Sequence, residues 1–126
     1  MDIKLELVAV PVTDVDRAKA FYEQVGFHTD HDVTVSEEIR FVQLTPPGSA
    51  CSIALGKGLT RMAPGSLDNM QVVVADIEAA HTELTARGIE VSEIDDQPWG
   101  SFVYFSDPDG NGWAVQQTVP RKAPEA

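Results

Sequence analysis

One cysteine, Cys51, stands in 126 residues, which excludes an internal disulfide, a CxxC redox pair and a cysteine-built zinc knot. Basic side chains are scarce as well. Nine Lys and Arg against twenty Asp and Glu leave a formal charge of −11, a field that repels phosphate backbones and anionic bilayers. Neither nucleic acid nor a membrane surface is therefore an expected partner. No apolar run approaches the ~20 residues that cross a bilayer. The opening Met1-Asp2-Ile3-Lys4 lacks the apolar stretch of a secretory signal, so the expected location is the reducing cytoplasm. The length leaves no room for separate cofactor and substrate domains; it suits one domain, or two small modules sharing a core. At 43% hydrophobic and 23% charged, the composition is that of a water-soluble globule with enough apolar side chains to offset chain entropy.

What the chain does carry is a repeat. A shift of 62 positions (14 to 76) lays Asp76 on Asp14 and Gly88 on Gly26, and pairs Leu5 with Leu67, Val10 with Val72, Val12 with Val74 and Ala18 with Ala80. Each copy opens with an alternating stretch rich in β-branched residues, 5–12 and 67–74, which predicts a strand. An acid follows, Asp14 or Asp76, where a helix wants an N-cap, and Thr13 with Asp16 offers a capping box. Val15, Ala18, Tyr22 and Val25, like Ile77, Ala80 and Leu84, recur at helical spacing. Gly26 and Gly88 fall where a helix exit needs a left-handed residue.

Three shorter strand-like stretches follow in each copy, over 27–35, 39–45 and 51–55, then over 89–94, 102–105 and 113–118. Turn residues such as those of Asp107-Pro108-Asp109-Gly110-Asn111 separate them. The order is βαβββ twice: a first module over 3–56, a linker over 57–66, a second module over 67–119, and a tail over 120–126 expected to be mobile. The fold class is α+β, two tandem βαβββ modules forming a curved mixed sheet with a concave cleft and helices on the outer face, the whole a single domain over 1–126.

Period two assigns faces. In the first copy Leu7, Phe41, Gln43 and Ser52 point into the cleft, with Ala9 and Ala54. In the second, Asn69, Gln71, Phe102, Tyr104 and Gln116 do so, with Ala114. Trp99, in the segment 95–100, is placed to cap the cleft and stack on a flat ring or a cation, worth ~0.5–2 kcal/mol, with Asp95 and Asp96 as a source of charge. The alternative, a loop tryptophan packed on the sheet beside two solvated acids, stands equally open. His28 and His31, interleaved with Asp30 and Asp32, look like a metal cluster. On a strand, however, positions 28 and 31 take opposite faces, and an edge strand protected by charge is the preferred reading. Cys51 reads as a buried inert thiol, and no catalytic residue is assigned.

The stretch from Val12 to Phe27, of the form VxDxxxAxxFYxxxGF, the turn from Asp107 to Asn111 and the paired modules together resemble the vicinal oxygen chelate superfamily. That group includes glyoxalase I, extradiol dioxygenases, fosfomycin-resistance transferases and bleomycin-resistance proteins. Trp99-Gly100, followed by a strand and the DPDGN turn, is similar to the corresponding stretch of bleomycin-resistance proteins. The resemblance implies a homodimer, and in the enzymes a divalent metal held by a His seven residues before the VxD acid and a Glu three residues after the turn's Asn. In this chain those positions are Leu7, Asn69 and Ala114, with a first-copy counterpart near Ser52. Methyl and isobutyl groups offer a cation no lone pair, and a lone carboxamide binds a hard ion weakly. No metal and no cofactor is expected.

Three readings follow. One is a small-molecule-binding protein that binds or sequesters an apolar, aromatic or cationic compound in the cleft. Another is a lyase or isomerase of the glyoxalase type, or a dioxygenase, with an atypical or absent metal site. The third is an assembly module.

Overall fold

The computed structural model describes residues 1–121; of the tail expected over 120–126, residues 122–126 lie outside the described residues. The chain forms two compact units, Met1–Leu67 with Asp107–Asn111, and Asp68–Ser106 with the described residues from Gly112 to Arg121. The first contains β1 (Leu7–Ala9), α1 (Val15–Val25), β2 (His28–Thr34), β3 (Arg40–Thr45) and β4 (Ser52–Lys57). Its sheet runs β1-β4-β3-β2, with β1 parallel to β4 and the other pairs antiparallel. The second repeats the plan with β5 (Met70–Val73), α2 (Ile77–Ala86), β6 (Asp95–Gln97), β7 (Gly100–Ser106) and β8 (Gly112–Gln117), in the order β5-β8-β7-β6. Two βαβββ modules, each with an open four-stranded mixed sheet, make this an α+β fold.

Both helices start and stop for the same local reasons. Asp14 caps α1 by accepting from the Arg17 N–H, and Asp76 caps α2 by accepting from Glu78 and Ala79, which satisfies donors that have no partner inside the helix. The capping box expected of Thr13 and Asp16 does not form. Thr13 instead gives its hydroxyl and its N–H to Asp109 Oδ1 at 2.7 and 3.1 Å. At the exits the N–H of Phe27 reaches the Tyr22 carbonyl and that of Ile89 the Leu84 carbonyl. Gly26 and Gly88 take φ of 118° and 81°, the left-handed turn that such a closure requires.

Each helix lies against the two central strands of its own sheet, α1 on β3 and β4, α2 on β7 and β8. Register puts Val42 opposite Leu55 and Leu44 opposite Ile53. All four are buried, as are Val15, Ala18 and Tyr22 on α1, and each large one contributes about 1.5–3 kcal/mol of burial. In the second unit Val103, Phe105, Trp113 and Val115 form the matching layer beneath Ile77 and Leu84. Phe105 and Trp113 stack there with ring centroids 5.9 Å apart.

The turn Asp107–Asn111 is bound into the first unit by a buried polar network. Asp107 Oδ2 accepts from the Tyr22 hydroxyl and from Asn111 Nδ2, both at 2.8 Å, while Oδ1 accepts from the backbone of Asp109 and Asn111. Asn111 Nδ2 also donates to the Pro11 carbonyl at 2.8 Å.

Several local expectations are corrected. Residues 89–94 form no strand; the hydroxyl of Ser92 takes the Tyr104 N–H at 2.9 Å, where a ladder carbonyl would sit. The edge strand is β6, directly after that stretch, paired to β7 through the two-residue turn Pro98-Trp99. Arg121, assigned to a mobile tail, is tied down: its N–H donates to Ser101 Oγ and its guanidinium to Asp96 and Glu78. His28 and His31 do not take opposite faces. The register shifts between Thr29 and His31, so that they oppose Thr45 and Gln43, two residues apart on one face. Both remain exposed.

Candidate functional site

Within the second unit, the face of the sheet away from α2 holds a cavity of about 370 Å³. It is lined by Asn69, Gln71, Trp99, Phe102, Tyr104 and Gln116, all selected from sequence, and additionally by Asp95 and Gln97. Strand alternation brings them together: Phe102 and Tyr104 sit two apart on β7, and Asp95 of β6 is the register partner of Phe102, so Asp95 and Gln97 share that face. Asp95 was assigned only as a source of charge and Gln97 not at all. The signal that identifies both is the Pro98-Trp99 turn, which fixes the β6 register.

The walls are aromatic and the fittings are amides. The rings of Phe102 and Tyr104 lie nearly parallel, 6° between planes and 6.0 Å between centroids. Trp99 is 64% exposed, leaving much of its indole open to a partner. The Tyr104 hydroxyl donates to Asp95 Oδ2 at 2.9 Å, and Gln97 Nε2 donates to Asp95 Oδ1 at 2.8 Å. Burial, and after it the hydrogen bond to Asp95, pushes the Tyr104 phenol above its ordinary pKa, since both disfavour a second negative charge. Gln71 Nε2 donates to Gln116 Oε1, and Gln116 Nε2 to the Trp99 carbonyl at 3.0 Å. Gly100 makes this possible: a Cβ there would stand 2.6 Å from Gln116 Nε2 and 2.7 Å from the Gln117 carbonyl.

The two neighbouring acids part company. Asp95 faces the cavity, whereas Asp96 accepts from Ser101 Oγ at 2.6 Å and from Arg121 Nε at 3.1 Å. Arg121, and then Ser101, hold the Asp96 carboxyl below the usual carboxylate range. Asn69 adopts φ 58°, a left-handed conformation that asparagine tolerates better than most side chains.

Leu7, Phe41, Gln43 and Ser52 lie on the sheet of the first unit and line no part of this cavity. Leu7 is the register partner of Ser52. Ser52 is buried, its Oγ receiving a hydrogen bond from Gln43 at 3.3 Å and lying 2.6 Å from Thr45 Oγ1. The first-unit residue that matches Gln116 is Gly56: Phe41 faces Gly56 as Phe102 faces Gln116. Leu59 covers it, so near that a Cβ on Gly56 would come within 2.7 Å of the Leu59 side chain.

A second hollow, of about 470 Å³, is lined in part by Thr13, Asp16, Arg40 and Lys57. Arg40 there is clasped by Asp16 at 2.8 Å and Asp32 at 2.9 Å. Arg40, and after it Lys19, lower the Asp32 pKa to about 2.

The positions at which the resemblance implies a metal can now be placed by register. Ala9 pairs with Ala54 and Gln71 with Ala114, so the counterpart of Ala114 is Ala54, two residues beyond the Ser52 expected. The first unit thus offers Leu7 and Ala54, neither with a lone pair, and the second offers the single carboxamide of Asn69 beside Ala114. This donor set does not fit a divalent ion. Among the described residues no three His, Cys, Asp or Glu side chains are grouped to hold one elsewhere.

Comparison with known proteins agrees with this architecture. The family model for the Glyoxalase/Bleomycin resistance protein/Dioxygenase superfamily matches residues 4–115. The crystal structure of TnmS3, an antibiotic binding protein from Streptomyces sp. CB03234, is similar at 36% identity, with a TM-score of 0.84 over 94% of this chain and 99% of that one. A superfamily member from Sphaerobacter thermophilus follows at 29% identity and a TM-score of 0.79, covering 92% and 98% of the two chains. The YetH protein of Bacillus subtilis is 29% identical over 117 residues, 87% of this chain and 94% of its own length.

Proposed function

The chain belongs to the glyoxalase/bleomycin resistance protein/dioxygenase superfamily, and on that premise we propose that it is a small-molecule-binding protein that holds a largely apolar, aromatic or cationic compound against the open sheet face of its second unit. The observation that carries this is the cavity lined by Phe102, Tyr104 and Trp99 with the amides of Asn69, Gln71, Gln97 and Gln116. At about 370 Å³ it lies within the ~300–1,000 Å³ of ligand sites, and apolar walls with a few fixed polar groups are their usual make-up. The likeness to TnmS3, an antibiotic binding protein, supports sequestration of a drug-like compound.

In the same reading the protein works without a metal, which the donor sets at Leu7, Ala54, Asn69 and Ala114 support. It works as a homodimer, supported by the exposed Ile3 and Leu5 that lead into β1, an edge strand that among the described residues pairs with β4 alone. Its place is the cytoplasm, in keeping with a single free cysteine.

The test is a titration with naphthalene, quinoline and acridine derivatives followed by tryptophan fluorescence. Saturable quenching that is lost in Trp99→Phe is expected, because Trp113 is buried in the helix-facing layer. Absence of saturable binding by every compound overturns the proposal, and turnover of a hemithioacetal supports an enzyme instead.

A further inference from the structure

Resting on that binding reading, we infer that the cavity of the second unit selects a planar aromatic bearing a positive charge, with the Asp95 carboxylate as its counter-charge. Asp95 is the one carboxyl group among the lining residues; no Lys, Arg or His joins it. Between Asp68 and Arg121 the chain has two guanidiniums and no lysine, and both are committed elsewhere: Arg87 pairs with Glu83 at 3.0 Å, and Arg121 with Glu78 and Asp96. Among the described residues of its unit, no Lys or Arg therefore neutralises the charge on Asp95.

Its geometry is that of a held acceptor. Tyr104 and Gln97 each donate one hydrogen bond to a different oxygen, which fixes the plane of the carboxylate and leaves each oxygen room for a further donor. Around it stand the parallel rings of Phe102 and Tyr104 and the exposed indole of Trp99. A flat ring system fits those faces, and a cationic nitrogen on it gains both the carboxylate and the negative face of the indole. An anion meets the same carboxylate as repulsion. At roughly 5 Å and an effective dielectric of roughly 40, one such charge pair favours the cation about tenfold over a neutral ligand of the same shape.

The experiment compares 1-naphthylmethylammonium with 1-naphthylmethanol, a pair of closely similar shape that differs in charge, by isothermal titration calorimetry at low salt. The ammonium is expected to bind about tenfold more tightly, with the ratio narrowing as salt is raised. In Asp95→Asn, which keeps an acceptor for Tyr104, the ratio falls to about twofold; in Tyr104→Phe, which keeps the carboxylate, it persists. Equal binding of the two probes by the unaltered protein, or an undiminished ratio in Asp95→Asn, overturns the inference while leaving the binding reading in place. Failure of both probes to bind overturns the two together.

Discussion

Replacing Tyr22 with Phe removes one oxygen and leaves the ring, so its cost isolates a single buried hydrogen bond. Tyr22 is fully buried, and its hydroxyl lies 2.8 Å from Oδ2 of Asp107, itself 5% exposed. Hydrogen bonds to charged groups contribute about 1.5–3 kcal/mol net. Oδ2 keeps its second donor, Asn111 Nδ2, so the carboxylate is not stranded and the lower half of that range applies: about 2 kcal/mol. For a chain of this size that corresponds to a fall in Tm of roughly 8 °C. Urea denaturation followed by circular dichroism measures it directly. Asp107→Asn supplies the internal check, because in that background the acceptor is neutral and the cost of Tyr22→Phe shrinks to about 1 kcal/mol. A loss below about 0.5 kcal/mol for Tyr22→Phe in the unaltered chain, inside the scatter of surface substitutions, refutes the reasoning.

Gly100→Ala drives a methyl against the Gln117 carbonyl, which cannot swing aside, and against Gln116 Nε2, which can. It is expected to destabilise by about 1–3 kcal/mol and to weaken aromatic-probe binding by releasing Gln116 from the Trp99 carbonyl, read from denaturation and titration of one sample. The Asp32 carboxyl is expected to titrate near pH 2 by carbon NMR and to move up towards 3.8 in Arg40→Ala. Because its folded pKa is depressed, the stabilisation it brings is complete above the unfolded value and is lost as pH falls towards 2. Tyr104 is expected to ionise above the ordinary phenol value of 10.0 in an absorbance titration referenced to Tyr104→Phe. Asp95→Asn returns it only part of the way, since burial is the larger cause.

The architecture was legible because the features that set it are local. An acid before an apolar stripe and a glycine after it specify each helix without help from distant residues, and their recurrence at one spacing exposes the duplication. Five cavity residues, Asn69, Gln71, Phe102, Tyr104 and Gln116, are legible for the same reason, since alternation needs only the right strand; Trp99 is legible from its segment instead. Legibility failed where one side chain or one extra residue alters the register. The hydroxyl of Ser92 replaces a ladder bond and abolishes a strand whose hydrophobic pattern was sound. A bulge beside Asp30 turns His28 and His31 to one side. The offset between copies shrinks from 62 at the first strand (9 to 71) to 61 at the third (43 to 104) and 60 at the last (54 to 114), so a single shift points to Ser52 where register has Ala54. Gln97 escaped notice because its face depends on a hairpin turn that a nominal strand over 89–94 had displaced.

The allegiance of Asp107–Asn111 to the first unit bears on whether the two modules can be prised apart. A fragment ending at Leu67 keeps Thr13, Pro11 and Tyr22 but forfeits Asp107, Asp109 and Asn111, the groups that satisfy them. Severed there, the amino-terminal piece loses the Asp107 carboxylate from its buried phenol, and it regains that group only by capturing a loop that the other piece carries. Any break between Tyr22 and Asp107, the hairpin at 36–38 included, divides that network, so in a split reporter on this scaffold the loop supplies the complementing contact wherever the cut falls.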